Sequence, residues 1–143
     1  MRTNVPTTNT ASPLIRSRIG KVCVAITGST AAEMIEKAGA VVKETPFIEF
    51  RLDYLEKPLA ALPKFKTFFA ENTAATGVAT CRREANGGKF SGDLAGEMEI
   101  LSKAAGAGFH LVDLELESAE ALKKGDLEKL RATGIALDRK SVV

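Results

Sequence analysis

Five short apolar runs rich in β-formers begin near residues 22, 48, 77, 111 and 135, and helical periodicity fills the gaps between them. The period is loose, about 28 residues, the length that one strand, one helix and two short connections require. The runs are Val22–Ile26 (VCVAI), Ile48–Tyr54 (IEFRLDY), Gly77–Cys81 (GVATC), Leu111–Leu116 (LVDLEL) and a fifth strand expected from Ile135. After the first run, Gly28-Ser29-Thr30 turns the chain and caps a helix in which Met34, Ile35, Ala38, Val41 and Val42 share one face. A second helix is predicted over Pro58–Ala70, interrupted at Pro63. A third carries Leu94, Met98, Leu101 and Ala105 and stops at Gly106 and Gly108, and a fourth covers Ala119–Ala132. Strict alternation of strand and helix predicts an all-parallel α/β architecture.

Two such architectures suit the spacing. A doubly wound, five-stranded sheet would be nearly complete in 143 residues. A parallel (β/α)8 TIM barrel takes about 250 residues, so this chain would supply about four and a half of its units. The charges on the strands favour the barrel. Glu49, Arg51 and Asp53 alternate with Ile48, Phe50, Leu52 and Tyr54, so the charged set points to one face of the second strand. Asp113, Glu115 and Glu117 repeat the arrangement on the fourth, and Thr80 and Arg82 share a face with Cys81 turned away. A doubly wound sheet buries both faces under helices and needs continuous apolar strands. A barrel has one face under helices and an interior face whose charges gather at the C-terminal mouth, where barrel active sites lie. Two structural alternatives stand beside this: an antiparallel sheet with a solvated polar face, against which the helical segments count, and a purely structural ion-pair network inside a barrel.

Composition narrows the function classes. Twenty Lys+Arg against 18 Asp+Glu leave +2, so no nucleic-acid or membrane-surface partner is expected. No run approaches the roughly 20 apolar residues of a membrane helix. Cys23 and Cys81, 58 positions apart with one histidine in the chain, give neither a zinc pattern nor a disulfide scaffold and suit a reduced cytoplasm. No metal is expected. Residues 1–20 hold four Thr, three Arg, two Pro and no acid; they read as a disordered leader, with an organelle transit peptide as the alternative.

Glu49-Phe50-Arg51-Leu52-Asp53, Thr80-Cys81-Arg82 followed by Gly87-Gly88, and Val112-Asp113-Leu114-Glu115 together resemble type I 3-dehydroquinate dehydratase. The resemblance covers about residues 21–134, making residues 21–143 the N-terminal half of such a barrel. It implies a dimeric (β/α)8 barrel of the shikimate route to aromatic amino acids, converting 3-dehydroquinate to 3-dehydroshikimate and water through a lysine imine, with a histidine as general acid and base and no cofactor. Carried over residue by residue, Glu49, Arg51 and Arg82 face the substrate, while Asp53, Asp113 and Glu115 hold the arginines. A carboxylate that accepts from a hydroxyl and two planar forks of donors suit a polyhydroxylated keto-acid.

The departures bear on catalysis. Asn86 matches a position where many members carry glutamate, with Glu84 as a nearby substitute, and Ala25 stands where some have serine. The histidine is expected at the end of strand five and the lysine on strand six. Here Gly134-Ile135-Ala136-Leu137 continues as Asp138-Arg139-Lys140-Ser141-Val142-Val143, with Val142 about where the histidine belongs. Three consecutive charges contradict a buried strand, so residues 138–143 read as an aberrant end, the catalytic residues are expected to be absent, and the chain is expected to be inactive alone. The rival expectation is a non-catalytic half-barrel binding or assembly module that pairs with a second half. His110, before strand four, is expected to be structural. Lys140 lacks a dry pocket that would activate it. Gly87-Gly88-Lys89 lacks the residues of a phosphate-binding loop and reads as a flexible loop over the mouth, and Thr27-Gly28-Ser29-Thr30 reads as a helix cap rather than an anion nest.

Overall fold

A computed structural model describes residues 23–115 and 136–140. The order is β1 (Val24–Ile26), α1 (Ala31–Val41), β2 (Phe47–Arg51), a 3₁₀ turn (Leu52–Tyr54), α2 (Pro58–Glu71), β3 (Thr76–Thr80), a second 3₁₀ turn (Glu84–Asn86), α3 (Leu94–Gly106), β4 (Leu111–Glu115) and β5 (Ala136–Lys140). The leader, the predicted fourth helix, Glu117 and Val142 lie outside the described residues.

All neighbouring strands pair in parallel, and the sheet order is simply β1-β2-β3-β4-β5. That order decides the architecture. A doubly wound sheet reverses its order at a switch point and puts helices on both faces. A sequential order with right-handed crossovers puts every helix on one face, and α2 indeed packs against both α1 and α3. The other face is left for a barrel interior, and the parallel pairing removes the antiparallel alternative.

The helix-facing rows supply the core. Ile48, Phe50, Val112 and Leu114 are fully buried beneath Met34 and Ala38 of α1, Phe65 and Phe68 of α2, and Leu101 and Ala104 of α3. Phe50 meets Phe65, Phe68, Phe69 and Phe109 edge-on at centroid distances of 5.3, 5.9, 5.8 and 5.5 Å, the orientation that aromatic quadrupoles favour. The expected cap also forms: the Thr30 hydroxyl accepts from the Glu33 N–H, and the Glu33 carboxylate accepts from the Ser29 N–H. The Ser29 N–H, then Lys37, holds the Glu33 carboxyl below its ordinary value.

Several boundaries differ from the sequence reading. β2 ends at Arg51 rather than Tyr54, because Leu52 and Leu55 both turn into the core and the Leu55 N–H closes on the Leu52 carbonyl. α2 runs through Pro63, the sixth of its 14 residues, whose ring is exposed; one helical hydrogen bond is lost there while Ala61, Leu62 and Phe65 stay buried. α3 buries Glu97, Ile100, Leu101 and Ala104, with Leu94, Met98 and Ala105 only partly covered. β5 continues through Asp138-Arg139-Lys140, pairing Asp113 with Asp138 and Glu115 with Lys140 in register; a parallel ladder is made by backbone groups and does not need apolar side chains.

Candidate functional site

The C-terminal edge of the sheet collects the charged residues. Arg51, Thr80 and Asp113 occupy one register row across β2, β3 and β4, and paired residues of a parallel sheet project to the same face. Glu49 lies two residues earlier on that face, where its Oε2 accepts from the Thr80 hydroxyl at 2.6 Å. Thr80 is almost fully buried, so this charge-assisted bond holds the Glu49 carboxylate from a sheltered donor.

Each arginine is held by one carboxylate. Arg51 donates through Nε and one terminal nitrogen to Asp53 at 3.0 and 2.8 Å, a bidentate clasp closed by the 3₁₀ turn that displaced the end of β2. Burial works against the Arg51 charge, but the Asp53 hydrogen bonds and charge, with Glu49 beyond, outweigh it and raise the guanidinium above its ordinary value. The same guanidinium lies 5.0 Å over the Tyr54 ring, and the Lys89 ammonium 5.9 Å from that ring's centroid. Arg82 donates to Asp113 Oδ2 at 3.3 Å, and its buried Nε has no hydrogen-bond partner among the described residues. The side chains of Arg51 and Arg82 keep 14% and 23% of their surface, whereas those of Asp53 and Asp113 keep 0% and 1%. The acids are therefore the buried supports and the arginines the reachable groups.

The structure brings Glu49, Arg51, Asp53, Arg82 and Asp113 together at one edge; the Glu115 side chain lies outside the described residues. Glu84 is exposed on its 3₁₀ turn, and Asn86 is half-buried beside it. Sequence reasoning missed three contributors. Lys89 donates its backbone N–H to Asp53 Oδ2 at 3.0 Å. Arg83 forms an ion pair with Glu97 at 3.7 Å, and the Glu97 side chain is fully buried. The signal for Glu97 was available, since it falls inside the apolar stripe that Leu94, Met98 and Leu101 define. Gly87-Gly88-Lys89 forms a tight turn: Gly87 takes φ +84°, and Gly88 lies against the Arg82 carbonyl with no room for a Cβ.

His110 stands at the other end of the sheet. Its Nδ1 accepts from the Gly77 N–H at 3.0 Å, its backbone N–H donates to the Gly77 carbonyl at 2.9 Å, and its ring meets Phe69 edge-on. Burial lowers its pKa, which favours the neutral ring whose Nδ1 accepts from Gly77. Among the described residues no group of three or more His, Cys, Asp or Glu could hold a metal ion, and no helix is long and apolar enough to cross a membrane.

A sequential parallel sheet with charged rows at its C-terminal edge is the geometry of a barrel mouth, and the type I 3-dehydroquinase family model matches residues 22–137. The chain belongs to the type I 3-dehydroquinase family. Among curated relatives, the 3-dehydroquinate dehydratase of Coxiella burnetii is 30% identical over 102 residues, covering 71% of this chain and 42% of that protein. That of Dehalococcoides mccartyi is 36% identical over 108 residues, covering 72% and 43%. Solved family structures from Clostridium difficile and Geobacillus kaustophilus superpose with TM-scores of 0.73 and 0.71 at 16% and 18% identity. Each superposition covers 82% of this chain and 48% of the other. The chain thus spans less than half the length of these curated relatives, and the fold it shares with the solved members is one side of their barrel.

Proposed function

We propose that this chain supplies the N-terminal half of a 3-dehydroquinate dehydratase site, in which Glu49, Arg51 and Arg82 contact substrate and Asp53, Asp113 and Glu115 hold them. The reaction is a carbon–oxygen lyase step of the shikimate route, 3-dehydroquinate giving 3-dehydroshikimate and water through an imine on a lysine. No residue of this chain is assigned as the histidine or the lysine of that chemistry. The observation that carries the reading is the pair of guanidinium groups at the mouth. Arg51 and Arg82 stay reachable while Asp53 and Asp113 behind them are buried, and Glu49 stands on the same face, held by the Thr80 hydroxyl. Two cationic forks beside a carboxylate acceptor suit the carboxylate and hydroxyl groups of a polyhydroxylated keto-acid. A cytoplasmic location, which two cysteines that form no disulfide with each other suit, and a homodimer of the completed barrel belong to the same proposal.

The test adds the second half of the barrel in trans, taken from the Coxiella burnetii relative beyond the matched segment, and follows the conjugated enone of the product by its ultraviolet absorbance. The chain alone is expected to give no turnover and the mixture to give it, with Arg51→Ala and Arg82→Ala abolishing the gain. Soluble dimers of the chain that never turn over, with or without the second half, would support the half-barrel assembly module instead.

A further inference from the structure

Residues 82–90, the connection from β3 to α3, close on themselves. The Phe90 N–H donates to the Arg82 carbonyl at 3.1 Å, the Glu84 N–H to the Phe90 carbonyl at 3.0 Å and the Gly88 N–H to the Arg83 carbonyl at 3.0 Å. With Gly87 in the left-handed region and no room for a side chain at Gly88, the segment closes as a compact hairpin whose two ends run parallel at Arg83 and Phe90. Two carboxylates on opposite sides tie it to the fold. Asp53 accepts from the Lys89 N–H while also clasping Arg51. Glu97, fully buried on the inward stripe of α3, pairs with Arg83. A charge buried where leucine would pack is expensive unless paired, and it is better explained by what it holds in place than by stability.

Arg83 and Arg82 are successive residues leaving a strand, so their side chains leave on opposite sides of the backbone. Arg83 goes to Glu97 in the helix layer and Arg82 to Asp113 in the sheet. We propose that Glu97 is a positioning residue: through Arg83 it pins one side of the 82–90 hairpin, Asp53 latches the other through Lys89, and together they aim Arg82 beside Arg51. The ligand this arrangement serves rests on the dehydratase reading; the pinning does not.

The test is amide exchange on the ¹⁵N-labelled full chain without ligand, together with the Arg82 Nε–H resonance. Glu97→Gln keeps size and an acceptor and removes the charge. Expected are Lys89 and Phe90 amides exchanging at least tenfold faster, a displaced Arg82 Nε–H signal, and unchanged exchange at Val78 and Ala79 of β3. Unchanged hairpin and Arg82 signals, or equal acceleration at every amide, would overturn the proposal. Should Glu97→Gln fail to fold, Arg83→Gln removes the same charge pair from its half-buried side; hairpin-selective acceleration supports the pin and its absence overturns it. The turnover test is independent: hairpin-selective exchange without turnover of the assembled barrel sinks the dehydratase reading alone.

Discussion

Gly77 and Thr80 stand near opposite ends of one five-residue strand and answer to different constraints. At Gly77 the backbone is enclosed: an added Cβ would stand 2.2 Å from the Phe69 ring, and both backbone polar groups are taken by His110. At Thr80 the neighbours are Glu49, Arg51 and Asp113, where ion pairs and hydrogen bonds replace packing and the arginines stay reachable. The same separation runs through the sheet. Its N-terminal end is locked by aromatic contacts and backbone bonds, and its C-terminal end by charges that a ligand can compete for. A barrel needs the first to survive changes in the second, which is why conserving energy of packing and chemistry of recognition occupy opposite ends of its strands.

Substitutions can break this division, and the largest effect is expected in the core that both ends share. Phe50→Ala removes a fully buried ring with four aromatic neighbours and should cost about 3–5 kcal/mol in urea unfolding. Gly77→Ala drives a methyl into Phe69 at the locked end and should cost about 1–3 kcal/mol. At the mouth, Thr80→Val is nearly isosteric and removes the bond to Glu49; a loss of about 0.5–1.5 kcal/mol is expected, measured by the same denaturant titration. A loss as large as that of Phe50→Ala would mean that the mouth is as structural as the core. Arg82→Lys keeps the charge and loses the planar fork, so it should move the unfolding midpoint little while weakening calorimetric binding of 3-dehydroquinate to the completed barrel.

The smallest effect is the pH response of the locked end. Burial lowers the pKa of His110 in the folded chain from its ordinary value of 6.5, so the unfolded chain takes up the proton first. The stability that the neutral ring provides is present above pH 6.5 and is lost as pH falls through the lower folded value. Urea midpoints should therefore fall with acid in the wild type and fall less in His110→Gln. Equal acid sensitivity in both would mean that the His110 ring does not contribute to the locked end through its neutral form.

Much of the mouth was legible in advance because its charges alternate with apolar residues along single strands. Glu49 and Arg51, or Asp113 within LVDLEL, declare a polar face by local period alone. Asp53 was found for that reason too, although it sits on a 3₁₀ turn and meets Arg51 there rather than along a strand. Glu97 escaped because a charge inside an apolar helical stripe carries no partner in its own neighbourhood; its partner Arg83 stands on the hairpin before the helix. Lys89 escaped because its backbone N–H makes the contact, and no property of a side chain announces that.

The sequence by itself determined the alternation of strand and helix, the parallel sheet, the division of the second and fourth strands into a core face and a charged face, and membership of the family. All of these are written in residues a few positions apart, through side-chain period and short motifs. Only the tertiary structure decided that β2 stops at Arg51, that the strand order is sequential, and that the 82–90 hairpin is anchored at both sides. Those outcomes depend on pairs such as Thr80 with Glu49 and Lys89 with Asp53, 31 and 36 residues apart. Chain folding creates such proximities; no local pattern encodes them.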